Sequence, residues 1–395
     1  MGRGRLLGGC AWLLGGLALL QTLYLRALPP PVSPRRVPKP LPPPRGVLDA
    51  SGTFRVYRDV LGPPPRWAPP ELVLATHGTP GRAAAALGGA LGGERWGGPL
   101  SVAVFGVPRA GLGQLLAALG GPCRGLRGRL RLHVVLGAAD PPPAVTPNRG
   151  PAAPGGCRGA LGRLAAADPP SYTLGVPYPG NLLRNVAWAG AAGEETGGLG
   201  GTRNGGPGSP GRGLREGFLR ALQGGGPPLW GVVFVLPAFE VRLGTPVPGT
   251  KAELQQLWGT GDARPFYGAL CPRCQAPTDY GRWWALPPTP HLRVAYEAPW
   301  RDPWEPFYVG PAHGVPPFDE RFLQYGFNRI SQACELHVAG FRFAVLDGAF
   351  VVHGGFKEAD GFHGGRAAEQ HRNRLLFRRF RSDLRLRYPR SPRRC

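Results

Sequence analysis

The sequence predicts an α/β body with a mostly parallel sheet flanked by helices, set behind an N-terminal membrane anchor and a proline-rich stem. Three observations lead there. Short apolar runs ending in polar residues alternate with Ala- and Leu-rich stretches of helical spacing. A charge-free run of 20 residues, Leu6 to Leu25, stands near the N-terminus. Nine prolines follow it between Pro29 and Pro44.

The N-terminal run is long enough to cross a bilayer core of about 30 Å as a helix, and it exceeds the apolar core of a cleaved signal peptide. Arg3 and Arg5 precede it, which favours a cytoplasmic start and a luminal remainder. The proline run cannot hold a helix or a ladder and reads as an extended spacer. The expected layout is a tail at 1–5, a signal-anchor helix at 6–28, a stem at 29–48 and a luminal domain at 49–395. That is the layout of a single-pass type II membrane protein.

The body opens with Glu71–His77, Pro99–Phe105 and Leu130–Leu136, each with the length and β-branched content of a strand. Arg82–Leu91 and Ala110–Leu119 between them read as helices. Strand alternating with helix argues for a parallel sheet, in which ligands bind beyond the carboxyl ends of the strands. Thr76 and His77 are therefore candidate site residues. Asn181–Ala187 begins a further helix. Residues 190–213 hold eleven glycines and almost no apolar side chain, so a flexible loop is expected there. A helix at Leu214–Leu222 and a strand at Gly231–Leu236 follow. From Arg264 onward aromatic residues are dense, which suits either sugar binding or an ordinary core.

Composition excludes several classes. The chain has 395 residues with 64 Gly and 49 Pro, a share that by itself suggests low complexity. A hydrophobic share of 42% with ten Trp argues against full disorder. The glycines keep no three-residue period, which excludes collagen. The net charge is +23, with only three Lys (Lys39, Lys251, Lys357) among 47 cations, and ten Arg crowd between Arg372 and Arg394. A nucleic-acid partner is not expected, because the anchor points to a lumen and no recognition motif is present. Cys271-Pro-Arg-Cys274 lacks the second ligand pair of a zinc site. Six of the seven Cys lie beyond the anchor, an even number for disulfides whose pairing stays open. There is no N-x-[ST] acceptor. His353, after Phe350-Val-Val and before Gly354-Gly355, reads as an accessible strand-end His that could bind a metal.

The last hundred residues carry a longer signal. Trp304–Val309, Phe318-Asp-Glu-Arg-Phe322, Tyr325–Gly340, Phe350–Lys357 and Tyr388–Cys395 resemble the family 49 glycosyltransferases, the β-1,4-glucuronyltransferases, to which the second catalytic domain of LARGE is related. Glu71–His77, Glu94–Phe105, Asn181–Asn185, Leu236–Val241 and Arg264–Arg282 resemble it too, while 106–170 does so only loosely. The resemblance implies a GT-A-like fold, a Golgi membrane location and Mn²⁺. It further implies inverting transfer of glucuronic acid from UDP-glucuronate to a xylose on the O-mannosyl glycan of α-dystroglycan, priming extension by LARGE. It implies a metal ligand at His353 and donor contacts at Thr76, His77, Asn181, Arg184 and Lys357. Asp319, then Glu320, is the expected base, with an ion pair to Arg321 as the bland alternative. Trp304, Tyr325 and Asn328 are the expected acceptor contacts.

One departure stands against this. The family places a strand ending in D-x-D where this chain has 190–213, and no D-x-D occurs anywhere in the chain. Glu194 and Glu195 are the only acids in the interval. The expectation is loss of the metal carboxylates and of a central strand, with an intron-like stretch replacing a short coding segment. A non-catalytic luminal protein that binds glycan or LARGE is the alternative function.

Overall fold

The computed structural model describes residues 12, 15–24, 26, 45–91, 96–144, 154–167, 175–192, 199–203, 214–223, 230–359, 361 and 363–395. Residues 1–40 form one unit and 41–395 another. In the first, residues 15–24 are helical, with Leu17, Leu19, Leu20 and Leu23 exposed. Among the described residues no helix is long and apolar enough to cross a membrane. The expected tail at 1–5, most of the stem and parts of the apolar run lie outside the described residues.

The second unit is mixed α/β. Its main sheet has ten strands: β1 (Gly46–Leu48), β2 (Phe54–Tyr57), β3 (Leu72–Gly78), β4 (Leu100–Phe105), β5 (Leu130–Gly137), β6 (Leu199–Arg203), β7 (Val232–Leu236), β10 (Arg293–Ala298), β11 (Phe307–Pro311) and β12 (Arg342–Asp347). Their order is β1-β2-β5-β4-β3-β6-β11-β7-β12-β10. The block β5-β4-β3-β6 is parallel, as the alternating pattern predicts. β11 then reverses against both β6 and β7. A smaller sheet of β13 (Val351–Gly354), β8 (Ala238–Val241) and β9 (Ala263–Pro265) lies beyond the end of β7, and in it His353 stands opposite Glu240.

β3 and β4 are buried along their whole length, which explains their continuous apolar runs. The helices α1 (Pro80–Ala90), α2 (Arg109–Gly120), α3 (Gly156–Ala166), α4 (Gly180–Ala192) and α5 (Leu214–Gln223) join the parallel block. α1 begins with Pro80 at its first position, where a missing N–H costs nothing. Next come α6 (Lys251–Gly259), α7 (Tyr280–Ala285), α8 (Asn328–Val338) and α9 (Arg366–Arg387). α6 is capped reciprocally: the Glu253 amide donates to Thr250 and the Glu253 carboxylate accepts from the Gly249 amide. Three disulfides join Cys123 to Cys157, Cys271 to Cys274 and Cys334 to Cys395. The C-x-x-C thus closes on itself and offers no zinc site.

Two expectations are corrected here. The stem does not run to residue 48, because Gly46–Leu48 already pairs with β2. The glycine-rich interval is not one continuous loop. α4 extends to Ala192, and Leu199–Arg203 forms β6, parallel to β3 and antiparallel to β11. The central strand position is therefore filled. The physical reason is that a ladder uses backbone groups, which glycine carries as any residue does. Two facing strand edges would otherwise leave buried N–H and C=O groups unpaired. The rest of 193–213, with Glu194 and Glu195, lies outside the described residues.

Candidate active site

The carboxyl end of β3, the first turns of α4 and α8 and the small sheet converge on one region. His77 ends the buried core of β3, and its Nδ1 lies 2.9 Å from the Tyr178 hydroxyl. Tyr178 and Gln324 exchange bonds, Tyr178 N–H to Gln324 Oε1 at 3.1 Å and Gln324 N–H to the Tyr178 carbonyl at 3.0 Å. Asn328 then donates to the Gln324 carbonyl at 2.8 Å, which ties α8 to the same loop. Arg184, buried on α4, donates to Asn181 Oδ1 at 2.8 Å and lies over the Phe318 ring. Burial, and then the charge of Arg329, push its guanidinium down to about 10.

Arg329 extends the site toward the small sheet. It pairs with Glu305 at 2.6 Å and lies over the rings of Phe307 and Phe266. Phe266 in turn contacts His353, with ring centroids 5.8 Å apart. His353 Nδ1 is 3.0 Å from the Gly355 carbonyl, so Nδ1 carries a proton. Beneath them Glu240 is fully buried. It accepts from Arg264 Nε at 2.9 Å and from the backbone amides of Lys357 and Tyr267, each at 3.0 Å. Burial first and the charge of Arg82 second hold the Lys357 ammonium below its ordinary range. Arg82 is on α1, just past the end of β3, so these contacts lead back to where they began. Tyr325 closes a further side: its hydroxyl accepts from Arg366 at 3.2 Å, and that guanidinium lies over its ring.

Of the expected site residues, this convergence brings together His77, Arg184, Tyr325, Asn328, His353 and Lys357, with Thr76 buried behind His77 in β3. Three expectations are revised. Asn181 is fully buried and bonded at both ends, donating to the Asp319 carbonyl at 2.8 Å and accepting from Arg184, so it positions Arg184 instead of meeting a donor. Trp304 is fully buried; its indole donates to Thr278 Oγ1 at 3.1 Å and it packs on Phe343, which makes it a core residue and no acceptor contact. Asp319, the first choice as base, is gripped by Arg321 Nε and NH2 at 3.0 and 2.6 Å, and Arg321 also reaches Asp383. Both Asp319 oxygens are thus engaged by the Arg321 guanidinium.

Glu320 points elsewhere. It accepts from Asn185 Nδ2 at 2.8 Å and lines a cavity of about 800 Å³ with Trp188, Tyr308, His313 and Gln332.

A manganese site needs carboxylates beside His353. Among the described residues no group of three His, Cys, Asp or Glu could hold a metal. Glu240, opposite His353, already has both oxygens engaged. The described residues therefore do not fit the metal that the resemblance implies.

The sequence reading missed Glu240, Glu305, Tyr178 and Arg329. The first two are acids surrounded in sequence by apolar residues. Arg329 stands next to Asn328 inside a matched string, but the partners that give it meaning are 22 residues away or more.

Residues 209–389 match the family described as glycosyl-transferase for dystroglycan. The chain is 47% identical over 363 residues to β-1,4-glucuronyltransferase 1 of Homo sapiens, covering 89% of this chain and 83% of that protein. It is 39% identical over 373 residues to the Danio rerio protein of the same name, with the same coverage. Similarity to xylosyl- and glucuronyltransferase LARGE2s of Gallus gallus is 30% over 188 residues, 46% of this chain and 23% of that protein.

Proposed function

Because this chain belongs to the family of glycosyltransferases for dystroglycan, we propose that it transfers glucuronic acid from UDP-glucuronate, with inversion, to the 4-hydroxyl of a terminal xylose on the O-mannosyl glycan of α-dystroglycan. The product would be the primer that LARGE extends. The observation that carries this reading is the convergence of His77, Arg184, Arg329, His353 and Lys357 at the carboxyl end of a parallel sheet, in a chain 47% identical to a β-1,4-glucuronyltransferase 1.

In this reading Lys357 and Arg82 receive the diphosphate, and their charges stabilise UDP as it departs. Glu240 holds the Lys357 amide and so sets the direction of its side chain. Tyr325 and Asn328 meet the acceptor. Neither Asp319, gripped by Arg321, nor Glu320, turned into the cavity beside Trp188 and His313, is assigned as the general base. The acceptor oxygen attacks the anomeric carbon, the bond from that carbon to UDP breaks, and the hydroxyl proton passes to water. No step is drawn through a metal. The location we assign is the Golgi membrane, with the body in the lumen. The apolar run of residues 6–25 supports the anchor, and three disulfides suit an oxidising compartment.

The test is UDP release from UDP-glucuronate by the full chain with an aryl β-xyloside, with and without Mn²⁺. Release that depends on acceptor supports the transferase. Binding of the xyloside without release favours the second reading, a luminal protein that holds glycan or LARGE without catalysis. The missing carboxylate pair among the described residues is what favours that reading.

A further inference from the structure

Helix α9 carries a file of cations that the donor and acceptor contacts leave unused. Arg374, Arg378, Arg381 and Arg385 are all exposed and stand at i, i+4, i+7 and i+11. At 3.6 residues per turn that spacing puts them on one flank of the helix, over about 16 Å of its length, with neighbours about 5–6 Å apart. Leu375 and Leu386, 46% and 83% exposed, crest the outer face and separate this flank from Arg372 and Arg379. The inner face buries Asn373, Phe377, Phe380 and Leu384. Among the described residues none of the four flank guanidinium groups has an ion pair or a hydrogen bond. The acids of the helix are taken elsewhere: Asp383 pairs with Arg321, and Glu369 accepts from the Tyr325 amide. Like charges at these spacings destabilise a helix. An unpaired file of this kind suits an anion that runs along it, and guanidinium forks match carboxylate and phosphate oxygens.

The file begins at the site. Asn373, one residue before Arg374, donates to the carbonyls of Leu323, Tyr325 and Gly326, each at 2.9 Å. The loop that carries Tyr325 is thus tied to the start of the file, and from there the arginines lead away along α9. We infer that the flank of Arg374, Arg378, Arg381 and Arg385 holds the acidic part of a linear sugar chain whose terminal residue sits at Tyr325. The inference rests on the acceptor reading of Tyr325 above and extends it beyond the reacting sugar. A bilayer would engage the leucine crest and both flanks together, and a nucleic acid would need no link to Tyr325. The tie through Asn373 favours the glycan.

The experiment compares the native full chain with two double variants of equal charge: Arg378→Gln with Arg381→Gln on the flank, and Arg372→Gln with Arg379→Gln across the crest. Gln keeps helix propensity and relieves like-charge repulsion, so melting points should not fall. Binding is titrated with an unsulfated chondroitin oligosaccharide, whose repeating glucuronate supplies carboxylates, with polyuridylate and with neutral dextran. The native chain is expected to bind chondroitin, more weakly as salt rises, and not dextran. The flank variant should lose about tenfold in affinity while the other stays within about twofold. The KM of a β-xyloside carried on the same oligosaccharide should rise alike at unchanged kcat, and transfer to a simple aryl β-xyloside should be equal in all three chains. Equal losses in both double variants overturn the inference by assigning the effect to net charge. Polyuridylate bound as tightly as chondroitin, with the same loss in the flank variant, overturns it in favour of a nucleic acid, and a native chain that ignores chondroitin overturns it outright. A native chain that transfers nothing to the simple xyloside overturns the proposed function instead, while the titration still decides what the flank binds.

Discussion

Glu240→Gln is the most informative single change in the body, because Glu240 joins the small sheet to the Lys357 loop while remaining fully buried. The substitution conserves shape and removes the charge and one acceptor. Oε2 serves Arg264 and the Lys357 amide, and Oε1 serves the Tyr267 amide. The cheaper amide orientation keeps the carbonyl oxygen toward Arg264 and Lys357 and turns the NH₂ group against the Tyr267 N–H. That leaves one buried donor unsatisfied, at about 1–3 kcal/mol. The bonds to Arg264 and the Lys357 amide lose the carboxylate's charge, at about 1 kcal/mol together, since Arg264 is partly exposed and retains Glu358. The expected loss is about 2–4 kcal/mol, read as a lower urea midpoint at unchanged slope. Because the Lys357 amide then bonds a neutral acceptor in place of a carboxylate, affinity for UDP-glucuronate should fall about threefold to tenfold under conditions where the variant is folded. A midpoint within about 0.5 kcal/mol of the native chain, with unchanged affinity, would refute the positioning role given to Glu240.

Three further outcomes are expected. The His133 imidazole is fully buried and is pushed down to about 4, by burial first, with Asp59 opposing and Arg131 adding to the effect. The unfolded chain takes up this proton near pH 6.5 and the folded chain only near 4, so stability falls as pH drops between those values, by about 3 kcal/mol in all; His133→Gln should flatten that part of a pH–stability curve, and an unchanged slope would contradict it. Cys395→Ser opens a loop closed across 61 residues and should cost about 2–4 kcal/mol, measured as a lower denaturation midpoint under non-reducing conditions. Asp319→Asn and Glu320→Gln should each leave most of the transfer, because the first carboxylate is gripped by Arg321 and the second faces the cavity beside Trp188; a loss of about 10²-fold or more in a UDP-release assay would restore that residue as the base.

Much of the fold was legible because the parallel block is written locally. β3, β4 and β5 are each one apolar run, and the helices between them keep their spacing in sequence. β6 was illegible for the opposite reason: Leu199-Gly-Gly-Thr-Arg203 has no strand pattern, and its place is set by the open edges of β3 and β11. The pairing of Cys334 with Cys395 is a long-range fact that six candidates could not resolve. In the site, His77 and His353 stood out because each ends an apolar run. Trp304 misled because a buried tryptophan and a sugar-stacking one are identical in sequence; only the Thr278 bond and full burial separate them. Asp319 misled because its competitor is two residues away and the outcome depends on where Arg321 turns. Arg329 draws its meaning from Glu305, Phe307 and Phe266, none of which is near it in the chain.

Most direct of all is a crystal structure of the chain with UDP-glucuronate. The expected result is diphosphate within hydrogen-bond reach of Lys357 and the sugar between His353 and Arg329, at the carboxyl end of β3. A nucleotide bound in the cavity beside Glu320, or no nucleotide at a saturating concentration, would contradict the assignment of this region as the donor site of a glucuronyltransferase.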